Sequence, residues 1–152
     1  MKKILIYPLL LLFLIIVVIA IRMNWLGTRQ VVLPSGETVD PKELSSAEVL
    51  SVVAEQMNQV LPIKVGTEIE LRSVEGRQGE LIYHYVKTTP PSELFDKNRF
   101  MEEIRPIVLR RACRSQGMKL FFAHGVCARY DFRAENDQFI GEIIVTPRQC
   151  GY

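Results

Sequence analysis

Cys113, Cys127 and Cys150, with His84 and His124, are the residues of this chain best equipped by type for chemistry. Only His124 and Cys127 stand close together, three positions apart across Gly125. A thiol becomes a nucleophile when an adjacent base takes its proton, so a Cys–His pair is the smallest unit that would catalyse. The short spacing around a glycine turn fits no such arrangement. Neither histidine has an orienting partner that the sequence identifies. His124 precedes Gly125 at an expected helix end, where a cation favours the local dipole. Glu68 and Glu70 share one face of an alternating segment, where they read as solvated edge charges rather than a glycosidase pair. No cysteine pair has zinc-knuckle or redox Cys-x-x-Cys spacing, and no phosphate loop or serine elbow occurs. The expectation is a non-enzyme with no catalytic residue, no metal, no cofactor and no identifiable small-molecule substrate.

Two groups remain as binding surfaces. Arg110, Arg111 and Arg114 fall within two turns of an expected helix and form a candidate anion patch, so they are the expected partner-binding residues. Tyr83, Tyr85, Tyr130 and Phe132 recur at strand period, which makes them core aromatics first and a pocket lining second.

The elements that would position these residues follow from periodicity. Ser45 and Glu48 have capping-box spacing, with Ala47, Leu50, Val53, Ala54 and Met57 as an apolar stripe behind them. Pro62 closes that helix. Residues 67–74 and 81–87 alternate and predict a hairpin across the Gly-rich connection Glu75–Gly79. Residues 90–117 carry the second helical region, with Pro106 expected to kink or break it and Gly117 to end it. A short helical piece spans Met118–Ala123. Residues 126–133 and 139–145 alternate again around Glu135-Asn136-Asp137, a second hairpin in which Gly141 marks a bulge or a close helix crossing. The order predicts an α+β domain, a four-stranded, largely antiparallel sheet with helices on one face.

The N-terminus carries a different signal. From Ile4 to Ile21 every residue is apolar, Tyr or Pro, between Lys2-Lys3 and Arg22. As a helix that run is about 27 Å long, close to the hydrocarbon thickness of a bilayer. Residues 1–23 therefore read as a membrane anchor, or as a signal peptide cut near Ala20. Residues 24–44 read as a linker and 45–152 as an extracytoplasmic domain. The flanking charges put the N-terminus in the cytoplasm and the domain in the periplasm of a bacterial inner membrane. Beyond Arg22 the chain has 16 basic and 17 acidic residues. That balance argues against nucleic acid, which binds to a net basic surface.

Leu61-Pro62, the Tyr83-x-Tyr85 strand, Cys113 after a long helix, Gly125 before Tyr130 and the terminal Cys150 carry a resemblance. Over residues 61–150 the chain resembles uncharacterised small bacterial envelope domains of cystatin-like α+β type, from whose two-cysteine pattern Cys127 departs. The resemblance implies architecture and envelope location, not activity. Three cysteines allow three pairings. Cys113 and Cys150 fall at element ends that converge more easily than Cys127, whose direction the strand pleat dictates. A Cys113–Cys150 disulfide is therefore expected. The functional expectation is a membrane-anchored, non-catalytic module binding another envelope protein. The alternative is an immunity or exclusion factor against a toxin, phage or conjugative plasmid.

Overall fold

The alternating segments do build a sheet, with more strands and a different centre than their pattern implies. In the computed structural model, residues 30–33, 36–89 and 95–152 are described. The expected anchor at 1–23 lies outside them. Among the described residues no helix is long and apolar enough to cross a membrane.

Strands β1 (Val31–Val32) and β2 (Thr38–Val39) form a two-stranded ribbon, followed by a 3-10 turn at Pro41–Glu43 capped by Asp40. This stretch brings Leu33 and Leu44 into the core, the latter fully buried. Helix α1 (Ala47–Asn58) starts at Ser46, whose Oγ accepts the Val49 N–H at 3.2 Å. The expected cap, Ser45, stands one residue too early. Its carbonyl is instead taken by the Gly79 N–H at 2.7 Å, which ties the first hairpin turn to the helix start.

Strands β3 (Ile63–Lys64), β4 (Ile69–Arg77) and β5 (Glu80–Lys87) come next. The Gly-rich connection expected between the last two shrinks to a turn of two residues, Gln78 and Gly79, because Arg77 pairs directly with Glu80. Gly76 is absorbed into the strand, where any Cβ would strike the Leu50 carbonyl of α1. Helix α2 (Lys97–Arg114) and helix α3 (Gln116–Ala123) then lead to β6 (Cys127–Ala134) and β7 (Phe139–Val145). Pro147–Cys150 forms a final 3-10 turn.

The sheet order is β3-β4-β5-β6-β7, five strands rather than the expected four. Its central pair, β5 and β6, is parallel, in register from Glu80–Cys127 to Lys87–Ala134. Parallel and antiparallel strands share the same period of two, so alternation alone does not separate them. A parallel pair needs a crossover of a dozen or more residues, and the segment holding α2 and α3 supplies it. The cystatin-like antiparallel sheet is therefore corrected at its middle.

Two bulges set the faces. Arg72 is the extra residue between the Leu71–Tyr85 and Ser73–His84 pairs, so Leu71 and Val74 both turn inward. Ile140 is the extra residue between the Phe132–Gly141 and Arg133–Phe139 pairs. Beside it α2 crosses β7 so closely that a Cβ at Gly141 would lie 2.7 Å from Met101 Sδ.

Helix α2 runs without a break from Lys97 to Arg114 through Pro106. Pro106 cannot donate to the Glu102 carbonyl, but both residues are exposed, so water can serve that oxygen. The expected break at Ile104–Ile107 is absent. Ser115 ends α2 instead of Gly117, and its Oγ accepts the Met118 N–H at 3.3 Å to start α3. Cys113 is bonded to Cys150, their Cα atoms 5.0 Å apart, and Cys127 is free.

Candidate functional site

All three helices lie on one side of the sheet, and the residues between them define the most distinctive surface of the domain. The parallel register sets Tyr83 beside Tyr130 and Tyr85 beside Phe132. Their rings therefore stack, at 5.1 Å and 5.2 Å between centroids, with Tyr85 and Tyr130 linked at 6.1 Å. This aromatic ladder is the floor of two neighbouring clefts. One, of about 310 Å³, is walled by Val53 and Met57 of α1 and by Met118 and Phe121 of α3. The other, of about 270 Å³, is walled by Ile104, Ile107 and Arg111 of α2 and by Ile69 of β4. Ile107 is 47% exposed, a large apolar side chain left at the rim.

The chemistry of this floor is not acid–base chemistry. Burial pushes the Tyr83 and Tyr130 phenols far above the ordinary tyrosine range. Burial also raises Tyr85, while the positive charge of Arg111 draws it back down. All three stay neutral at physiological pH, and the Tyr83 hydroxyl is spent on Met118 Sδ at 3.2 Å. What remains is an apolar, polarisable surface with a cation at its edge. Arg111 is exposed and has no carboxylate partner among the described residues. Arg110 and Arg114 are likewise exposed and unpaired, but neither lines a cleft. The structure thus divides the arginine triplet, bringing only Arg111 to the aromatic floor.

The histidines and Cys127 stand elsewhere. His84 is on the opposite face of the sheet, with Nδ1 3.3 Å from Asp131 and Nε2 3.7 Å from Glu75. Arg133 donates to the same Asp131 oxygen at 3.0 Å, and Arg77 holds Glu75 at 2.7 Å. Arg129 bridges Glu80 and Glu142 at 2.9 and 2.7 Å. This is a closed ionic lattice that seals a sheet face, with its carboxylates already paired. Ile82 and Val86, on the same face, are buried as well. Cys127 shares that face. Desolvation, then the nearby Glu80 charge, raises its pKa, so it remains a thiol at neutral pH and a poor nucleophile. His124 Nδ1 contacts the Leu120 carbonyl at 2.9 Å at the end of α3. Glu68 pairs with Lys87 and Glu70 with Arg72, so these carboxylates do not converge either. No metal-ligating group of three occurs among the described residues.

Sequence reasoning missed Ile69, Ile104 and Ile107 as walls of the cleft beside Arg111, and Met57 as a wall of the neighbouring one. The available signal was Ile107, an apolar residue out of step with the buried stripe of α2.

No protein-family model and no curated protein matches the chain. Three solved structures share its fold. A Pseudomonas aeruginosa protein predicted to be secreted matches with a TM-score of 0.60 and 19% identity, over 76% of this chain and 99% of its own. EpsS, the pilotin of the Vibrio vulnificus type 2 secretion system, matches with a TM-score of 0.59 and 15% identity, covering 73% and 96%. AspS, the type II secretion system pilotin of Vibrio cholerae, matches with 0.55 and 13%, covering 72% and 95%. At such identities the likeness establishes the fold. It replaces the cystatin-like expectation with an architecture found in small bacterial secreted and secretion-system proteins.

Proposed function

We propose that this chain is a non-catalytic interaction module of the bacterial envelope, tethered through its N-terminal apolar run and serving as an accessory subunit of a larger envelope assembly. The observation that carries this reading is the aromatic-floored cleft between α2 and the Ile69 end of β4, rimmed by exposed Ile107 and unpaired Arg111. Such a surface suits a partner segment with apolar side chains on one face and a carboxylate placed to meet Arg111. The fold shared with two secretion-system pilotins supports the same class of role. The neutral, buried tyrosines and the paired carboxylates argue against an enzyme.

A photo-crosslinking residue at Ile107 tests the proposal in cells. The expected result is one crosslinked envelope protein whose attachment site lies in an apolar segment containing Asp or Glu. Arg111→Glu, at an exposed position with no carboxylate partner, should reduce that crosslink at least tenfold while leaving the melting temperature unchanged. Crosslinks to many unrelated proteins, or a crosslink indifferent to Arg111→Glu, would overturn the assignment.

A further inference from the structure

The cations of this domain are sorted by partner. Every arginine on the outer sheet face is held by a carboxylate: Arg72, Arg77, Arg129 and Arg133. Between Glu103 and Asp131 the chain contains no acidic residue at all, and six basic ones. Three elements of structure gather cations at one corner. The last two turns of α2 present Arg110 and Arg114, and the first turns of α3 present Lys119, all exposed. The Cys113–Cys150 bond then brings in the turn Pro147–Cys150 with exposed Arg148. Tyr152, 48% exposed, closes the same corner through its ring contact with Phe122, 6.0 Å away. None of these four cations has a carboxylate partner among the described residues.

We infer that this corner, Arg110, Arg114, Lys119 and Arg148 with Tyr152, is a docking surface for an anionic lipid headgroup layer, so that the folded domain itself rests on a membrane. Three features select a lipid surface over an acidic protein. The cations come from three separate elements and line none of five clefts among the described residues, so they offer breadth without a shaped recess. They carry long, mobile arms that match diffuse negative charge better than a set of directed carboxylates. Beside them stands an exposed tyrosine, the residue type that settles at headgroup depth. Clustered basic residues gain from an anionic leaflet within about a Debye length of it, whatever the overall neutrality of the domain. The surface is separate from the cleft. Arg111 belongs to the cleft and is left out of the patch, so failure of either assignment leaves the other standing.

The test uses the full chain, mixed with lipid discs made either of phosphatidylcholine or of phosphatidylcholine with phosphatidylglycerol, each carrying a trace of headgroup spin label. Loss of amide signal by nuclear magnetic resonance reports which residues approach the headgroups. In anionic discs the amides around Arg110–Lys119 and Pro147–Tyr152 should be attenuated, several-fold more than in zwitterionic discs. Each cation neutralised to Gln should weaken the contact about fivefold. The quadruple variant R110Q, R114Q, K119Q, R148Q should lose it while keeping the wild-type spectrum elsewhere, which serves as the folding control. Molar salt should have the same effect. Equal attenuation in both discs, or attenuation centred on another face, would overturn the inference. So would protection of the corner by polyglutamate but not by anionic discs, which would make it an acidic-protein site.

Discussion

Asn58 is the smallest part of this fold with a large effect. Its side-chain Nδ2 donates to the Val74 carbonyl at 2.8 Å and its Oδ1 accepts the Val74 N–H at 2.7 Å. One amide thus imitates a neighbouring strand and closes the β4 edge beyond the reach of two-residue β3. Asn58→Ala leaves two backbone groups of a part-buried strand unpartnered, and should cost about 2–4 kcal/mol in urea unfolding. A loss below 0.5 kcal/mol would mean water replaces both bonds. The ionic residues predict a pH dependence of definite sign. The Lys87 hydrogen bond and charge lower the Glu68 pKa, and the Arg77 hydrogen bond lowers that of Glu75. A carboxylate whose folded pKa lies below its unfolded value stabilises the fold above that unfolded value and loses its contribution as pH falls through the folded one. The urea midpoint should therefore begin to fall near 4.5, the unfolded carboxylate value, and continue downwards. Glu75→Gln should flatten that decline.

Helix α2 is where local preference and tertiary packing disagree. Pro106 costs a helix interior up to about 3 kcal/mol, yet the element continues through it. Its inward residues Met101, Val108 and Ala112 are held by β7 and the core, and that burial outweighs one missing bond on the wet side. Pro106→Ala should then stabilise the domain by about 1–3 kcal/mol, measured by urea unfolding. Destabilisation would show instead that the proline shapes how α2 crosses Gly141. The C-terminal end of α2 is tied down differently. The Cys113–Cys150 link spans 37 residues, and in the chain-entropy model such a loop is worth roughly 3–4 kcal/mol. Cys113→Ser should lower the melting temperature markedly, while Cys127→Ser, away from any bridge, should change it little.

At the scale of the molecule, the sheet has one face covered by helices and the other by paired charges. The helical face needs its N-terminal ribbon, because Leu33 and Leu44 fill the core beside Leu50. A chain beginning at Val31 should fold cooperatively. One beginning at Ser45 loses both leucines, each worth about 2–5 kcal/mol by the measure of core Leu→Ala substitutions, and should be largely unfolded. Circular dichroism of the two fragments decides the point; equal stability would remove the ribbon from the core.

Element types were legible because each is written in neighbouring residues. Alternation along Leu81–Lys87 and 126–133 marked strands, the stripe from Ala47 to Met57 marked a helix, and Gly141 announced a close crossing. The Cys113–Cys150 pairing followed from element ends. What alternation does not encode is the direction of a neighbour, so the parallel β5–β6 pair stayed hidden until the crossover was seen to return on the same side. With it stayed hidden the aromatic ladder, since only a parallel register sets Tyr83 beside Tyr130 and Tyr85 beside Phe132 at once. Charge behaved the same way. Counting residues gives a nearly neutral domain, and composition is all a count contains. Arg77 with Glu75 and Arg133 with Asp131 are neighbours two positions apart on one strand, but only folding brings Glu80 and Glu142 to Arg129 and leaves the cations around the disulfide bare. The partners of Arg129 lie 49 and 13 positions away, and the disulfide gathers cations from α2 and from the final turn, so these are distances that the tertiary structure alone decides.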